Sequence, residues 1–122
     1  PDHVIAVDAL SAREAARLCR AVQVTDAGIV PGSGVGNARS ALTEETLGVP
    51  VVAVGVPTVV DARTLCADLS GAEIDLPEDT ELFVTPRDID TRVRDSARLV
   101  GYAIDLALHD ALTIEDIDMF LA

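Results

Sequence analysis

Three aspartates each follow a run of apolar residues: Asp8 ends VIAVD, Asp26 ends VQVTD and Asp61 ends PTVVD. Short apolar runs of this kind predict buried strands, and functional side chains in open parallel sheets gather where strands end. Helix capping is the alternative role for Asp61, which directly precedes a predicted helix. Turn formation is the alternative for Asp26. Asp8 lies three residues before a better cap, Ser11, and we therefore expect Asp8 to be functional.

The stretch PGSGVGN, residues 31–37, places three glycines at alternate positions. A phosphate loop of the nucleotide-hydrolase type needs Lys and then Ser or Thr after its glycines, and the chain contains no Lys. The dinucleotide fingerprint needs a further glycine where Asn37 or Arg39 stands. We predict instead a tight loop that lets the backbone pass close to a carboxylate or a bound peptide.

The residues of this loop have predicted roles beside the site. The wall would be shaped by Gly32, Ser33, Gly34 and Gly36. Asn37 and Arg39 would hold loop carbonyls or a substrate carboxylate. For Arg39, a solvent-facing ion pair is the alternative.

Strands and helices that would position these residues alternate along the chain. Apolar runs predict strands at residues 4–9, 22–25, 49–60 (interrupted by Pro57) and 82–85. Ser11 with Glu14 forms a capping-box pattern that predicts a helix through about Ala21. Further helices are predicted in SALTEETLG, from Asp61 to Leu69, from Pro86 to about His109 with Thr85 as its cap, and after Thr113. Residues 70–80 are predicted to be a loop.

The composition favours one α/β domain over residues 1–122 with a largely parallel sheet, because apolar residues make up 49% and aromatic residues only 2%. A net charge of −12 argues against nucleic acid and anionic membranes as partners. Cys19 and Cys66 lack metal-type spacing and are predicted to be buried free thiols in a reducing cytoplasm. The sequence lacks an initiator Met and is expected to be a piece of a longer polypeptide.

The stretches VIAVDALSAR, QVTDAGIVPGSGVGNARSALTEETLGVPVVAVGVPTVVDA and FVTPRDID resemble the spore germination protease family. The resemblance implies a cytoplasmic endopeptidase, located in the spore core or forespore, that degrades small acid-soluble spore proteins. It also implies a three-layer α/β/α fold shared with hydrogenase maturation endopeptidases, and an aspartic-type mechanism with two carboxylates and no metal or other cofactor.

By the same resemblance, the family's aspartate in its DAL strand end corresponds to Asp8. Its partner aspartate lies in an upstream part of the polypeptide that this sequence does not contain, and we expect these 122 residues alone to be inactive. Asp61 would support the site by holding a loop or capping its helix. The family also carries a longer segment where only residues 63–82 stand here. Expected partners are the upstream polypeptide and further copies in a homo-oligomer.

Two alternatives remain open at this point. A metal-dependent endopeptidase of the hydrogenase-maturation type would need a His near the carboxylates, yet His3 and His109 lie outside every motif. A noncatalytic binding or assembly module would keep the fold without the second aspartate.

Overall fold

The computed structural model describes residues 1–35, 39–73 and 75–121. The chain divides into two compact units, Pro1–Ile89 and Asp90–Ala122. Within the described residues, the first unit contains a four-stranded sheet, two α-helices and two short 3-10 turns. The second unit is helical. All residues of the candidate site lie in the first unit.

The sheet is built around β3, Val51–Asp61. On one side β1, Val4–Ala12, runs parallel to β3. On the other side, β2 (Gln23–Thr25) and β4 (Phe83–Val84) run antiparallel to β3. The prediction of a largely parallel sheet is therefore wrong, because the sheet is mixed and only its longest pairing is parallel.

The segment after Asp8 explains this difference. The predicted helix from Ser11 to Ala21 does not form: β1 continues through Ala12, and beyond it the chain forms only a 3-10 turn at Ala15–Arg17. Pairing with β3 and burial of Ala12 outweigh the local capping pattern. Without a crossover helix, the chain returns along β3 in the antiparallel direction.

Pro57 does not interrupt β3, which runs through it as one strand. The register changes here, because Leu10 pairs with Pro57 whereas Ser11 pairs with Val59. Thr58 is thus the extra residue of a β-bulge, a place where a sheet tolerates the missing N–H of proline. The Thr58 carbonyl accepts a hydrogen bond of 2.8 Å from the Thr85 hydroxyl.

Thr85 is therefore bonded to the sheet, and the long helix predicted from Pro86 begins instead at Ile89. The other predicted helices are confirmed. α1 (Glu44–Leu47) is capped by Thr43 and ends at Gly48, whose φ of 74° favours glycine. The remaining helices are α2 (Ala62–Ser70), α3 (Ile89–Leu108) and α4 (Ile114–Leu121), whose first turn is held by reciprocal hydrogen bonds between Thr113 and Asp116.

Small aliphatic residues form the core of the first unit, as the composition predicts. They are Ala6, Ala12, Val51, Ala53, Val54, Val56 and Val60. In the second unit, Val100 of α3 and Ile117 of α4 are buried. Cys19 and Cys66 are half-buried rather than fully buried as predicted. None of the helices in the described ranges is long and apolar enough to cross a lipid bilayer.

Candidate active site

Asp8 lies inside β1, four residues before the strand ends at Ala12, and not at the strand end as expected. Its register partner on β3 is Gly55. Because paired residues share a face, the Asp8 side chain is on the face that carries buried Ala6, Val51 and Ala53. Asp8 itself is half-buried, so its carboxylate is partly shielded from water and partly accessible.

Few local groups engage the Asp8 carboxylate. Its Oδ1 accepts a hydrogen bond of 2.9 Å from the N–H of Ala9. No helix starts after it, so it satisfies no helix N-terminus. Among the described residues, the structure gives no salt bridge to Asp8, and its other oxygen, Oδ2, has no hydrogen bond. The carboxylate is therefore available for another partner.

Gly55 leaves room for the Leu10 side chain on the sheet face that carries Asp8. A Cβ at position 55 would collide with the Leu10 side chain, which lies over the glycine. On the far side of Gly55, β2 contributes Gln23 at the same level of the sheet. Asp8, Gly55 and Gln23 thus form a row across three strands, and two strand spacings of about 4.8 Å separate Asp8 from Gln23 by about 10 Å.

The predicted glycine loop is described only in part, since Gly36 and Asn37 lie outside the described residues. Gly32 has a φ of 76°, which glycine adopts without strain. Ser33, Gly34 and Val35 form a 3-10 turn.

This turn lies next to β1, the strand that carries Asp8. The N–H of Arg39 donates to the carbonyl of Pro31 over 2.9 Å, which brings the two ends of the loop together. The side chain of Arg39 is exposed. The loop and the strand that carries Asp8 are thus neighbours, and the loop's role beside the site stays a prediction.

Asp61 has a structural role in the described residues. Its Oδ2 accepts hydrogen bonds from the N–H groups of Arg63 (3.0 Å) and Thr64 (3.2 Å), which caps α2. Asp61 lies six residues beyond Gly55 on β3, or about 20 Å along the strand. Asp8 and Asp61 are therefore too far apart to share a proton.

Asp26 is exposed and follows β2 at the opposite end of the sheet, because β2 runs antiparallel to β3. The N–H of Ala27 donates to the Thr25 hydroxyl rather than to Asp26. The three aspartates, Asp8, Asp26 and Asp61, are thus spread along the sheet and do not gather at one edge.

Two residues with structural roles were not singled out from the sequence: Gly55, which pairs with Asp8, and Arg63, which follows Asp61. Gly55 could have been noticed as the one glycine in the Val-rich run of β3. Arg63 donates from its guanidinium to the carbonyls of Leu76 (3.2 Å) and Pro77. It ties the segment after α2 to the helix that Asp61 caps, a contact that no sequence pattern signals.

In the part of the chain that the structure describes, no group of three or more His, Cys, Asp and Glu side chains is placed to hold a metal ion. His3 and His109 are both exposed. In the row through Asp8, the carboxylate can accept hydrogen bonds and exchange a proton, whereas Gln23, about 10 Å away, offers an amide that can only hydrogen-bond.

Comparison with known proteins gives matches that cover up to 99% of the chain. The family model described as germination protease matches residues 1–75, which include Asp8, the glycine loop, β3 and α2. The germination proteases of Clostridium tetani and Caldanaerobacter subterraneus are each 37% identical over 153 residues, which take in 99% of this chain and 47% of the relative. The germination protease of Halalkalibacterium halodurans is 62% identical over 68 residues, 56% of this chain and 18% of the relative.

The chain spans about half the length of the first two relatives. Their alignments have 153 positions whereas the chain has 122 residues, so at least 31 positions of each relative have no counterpart here.

Proposed function

The chain belongs to the germination protease family, and from this premise we propose that it forms part of an endopeptidase that acts in spore germination. The family match and the names of the relatives support peptide hydrolysis as the activity. The sequence resemblance supports small acid-soluble spore proteins as the substrates, and the spore core, a cytoplasmic compartment, as the place of action.

Asp8 is proposed as one of two catalytic carboxylates. The observation that carries this proposal is the contrast in hydrogen bonding, since Asp61 is bound by two helix N–H groups whereas Asp8 receives only the N–H of Ala9. A half-buried carboxylate that caps no helix can accept a proton from water, and once protonated it can donate that proton to a leaving amine.

The second carboxylate is proposed to come from an upstream part of the complete polypeptide. Hydrolysis by two carboxyl groups requires that they lie close enough to share a proton, because two neighbouring negative charges are unfavourable and their pKa values separate. One member of the pair then acts as base while the other acts as acid. Asp61 does not meet this requirement, given its distance of about 20 Å along β3.

The finer fold prediction belongs to the same proposal. We propose that the complete protein has helices on both faces of its sheet, as hydrogenase maturation endopeptidases do, and that it forms a homo-oligomer. The exposed apolar side chains of Ile5, Val7 and Val24, which share one face of the sheet, support a further layer.

The test compares digestion of a purified small acid-soluble spore protein by the complete polypeptide, by the 122-residue chain and by the complete Asp8→Asn variant. We expect cleavage by the complete polypeptide only. Asp26→Asn, at an exposed position outside the row, is the matched control and should remain active. Cleavage by the complete Asp8→Asn variant at the parent rate would refute the role of Asp8, and absence of cleavage by the complete polypeptide would favour a noncatalytic module.

A further inference from the structure

The outer edge of β1 has a defined pattern of free backbone groups. The N–H of Val4 donates to the carbonyl of Pro50, 2.9 Å away, at the start of the parallel ladder with β3. Because strand residues alternate in direction, Ala6 and Asp8 also turn their N–H and C=O groups toward β3. Ile5, Val7 and Ala9 therefore turn theirs outward, away from β3.

Within the described ranges, no strand pairs with this outer edge. The backbone groups of Ile5 and Val7 have no hydrogen bond outside the sheet there. The N–H of Ala9 is instead taken by the Asp8 carboxylate, at 2.9 Å. The free edge thus runs along Ile5 and Val7 and ends at the proposed catalytic carboxylate.

The side chains at this edge suit burial rather than permanent contact with water. Ile5 is 38% exposed and Val7 56% exposed, and Val52, the register partner of Ile5, is 37% exposed on the same face. A long, apolar and unpaired edge strand is a template for another strand and is usually covered in native proteins. Along residues 4–7 the strand carries none of the charged or Pro residues that blunt such edges.

We propose that a strand from the part of the complete polypeptide outside these 122 residues pairs with the outer edge of β1 at Ile5 and Val7. The relatives offer the necessary length, because more than half of each lies beyond the match. The added strand makes β1 an interior strand of the sheet, so that Asp8 lies between β3 and the added strand.

Such pairing also has a consequence for the site. A residue opposite Asp8 on an added strand shares its face, with Cβ atoms about 5 Å apart. At that spacing two carboxyl groups can share one proton. This consequence rests on the proposed function. It places the second catalytic carboxylate on the added strand, opposite Asp8.

Hydrogen exchange of single amides, measured by NMR, tests the pairing without any reference to catalysis. In the 122-residue chain, the amides of Ile5 and Val7 should exchange quickly while those of Val4 and Ala6 are protected by β3. In the complete polypeptide, Ile5 and Val7 should exchange at least about 100-fold more slowly, as for amides within a paired strand. Val4 and Ala6 serve as internal controls and should be protected in both proteins.

Matched variants of the complete polypeptide complete the test. Val7→Pro removes an outward N–H and should abolish the added protection at Ile5, whereas Val7→Thr keeps the N–H and should preserve it. Fast exchange of Ile5 and Val7 in the complete polypeptide would overturn the proposal. Protection that grows with the concentration of the 122-residue chain, or that arises only when substrate is added to the complete polypeptide, would assign the edge to a second copy or to substrate and would also overturn it.

Because hydrogen exchange does not depend on activity, this result is separable from the fate of the proposed function. An Asp8→Asn polypeptide that still cleaves substrate would refute the catalytic role even with a protected edge. Conversely, the amides of Ile5 and Val7 could exchange quickly while Asp8→Asn abolishes cleavage. That result would support the catalytic role of Asp8 and refute the pairing of an added strand with β1.

Discussion

Asp8 and Asp61 both follow apolar strand residues, yet the chain continues differently after each of them. After Asp61 the backbone turns into α2, and the carboxylate binds the N–H groups of Arg63 and Thr64. After Asp8 the backbone stays extended for four more residues, and the carboxylate binds only the N–H of Ala9. The same sequence pattern thus gives a helix cap at Asp61 and, at Asp8, a carboxylate that caps no helix.

The difference shows that the backbone after a carboxylate decides its role. A helix start exposes several N–H groups, and a preceding Asp is stabilised by binding them. A continuing strand instead directs its N–H groups sideways to neighbouring strands. An aspartate inside a strand therefore gains little from local capping.

The largest effect on stability is expected at Gly55, the residue that pairs with Asp8. Gly55→Ala places a Cβ against Leu10, and we expect it to lower the free energy of unfolding by about 1–3 kcal/mol through overpacking. Urea denaturation would measure this. The combination with Leu10→Ala should recover part of the loss, with a coupling of at least about 0.5 kcal/mol. Strict additivity of the two changes would show that Leu10 does not occupy the space beside Asp8.

A slightly smaller effect is expected at the other aspartate. Asp61→Ala leaves two N–H groups of α2 without their acceptor and should cost about 1–2 kcal/mol of stability. Asp61→Asn should be nearly neutral, since Asn caps helices about as well as Asp. Thermal or chemical denaturation of both variants distinguishes capping from charge. An equal loss in Asp61→Asn would mean that the negative charge, rather than the cap, is what the fold requires.

The smallest effect is expected at Arg63, which extends the structural role of the Asp61 region. Arg63→Ala removes the donors to Leu76 and Pro77 and should cost about 0.5–1.5 kcal/mol. Limited proteolysis should then cut residues 75–82 faster than in the parent chain. Arg94→Ala, at an exposed position of α3, is the control. An unchanged cutting rate in Arg63→Ala would show that this segment is held by other contacts.

Much of the fold follows from local pattern, and the failures have one common cause. The apolar run of β3, the cap at Asp61 and the stop at Gly48 are encoded in short stretches, and the structure contains them. The stretch after Ser11 carries an equally good helix signal, but pairing of Ser11 and Ala12 with β3 overrides it. Such pairing joins residues almost fifty positions apart, and no local window contains it.

For the candidate site, the sequence indicates Asp8 because it lacks an obvious cap role, and the structure likewise gives its carboxylate no helix to cap. Its catalytic role stays a prediction. Its position within the strand, and the row with Gly55 and Gln23, depend on the register between strands. Register is a property of the assembled sheet, so the sequence alone did not reveal these neighbours.

The most direct test of the central claim replaces each aspartate by Asn in the complete polypeptide and measures kcat/KM together with the free energy of unfolding. The chemical change is identical at both positions. We expect Asp8→Asn to lower kcat/KM by about 10²–10⁴-fold with stability within about 0.5 kcal/mol of the parent, and Asp61→Asn to preserve both quantities. An Asp8→Asn variant with parent activity, or an Asp61→Asn variant that loses activity to the same extent, would contradict the assignment of catalysis to Asp8 and of capping to Asp61.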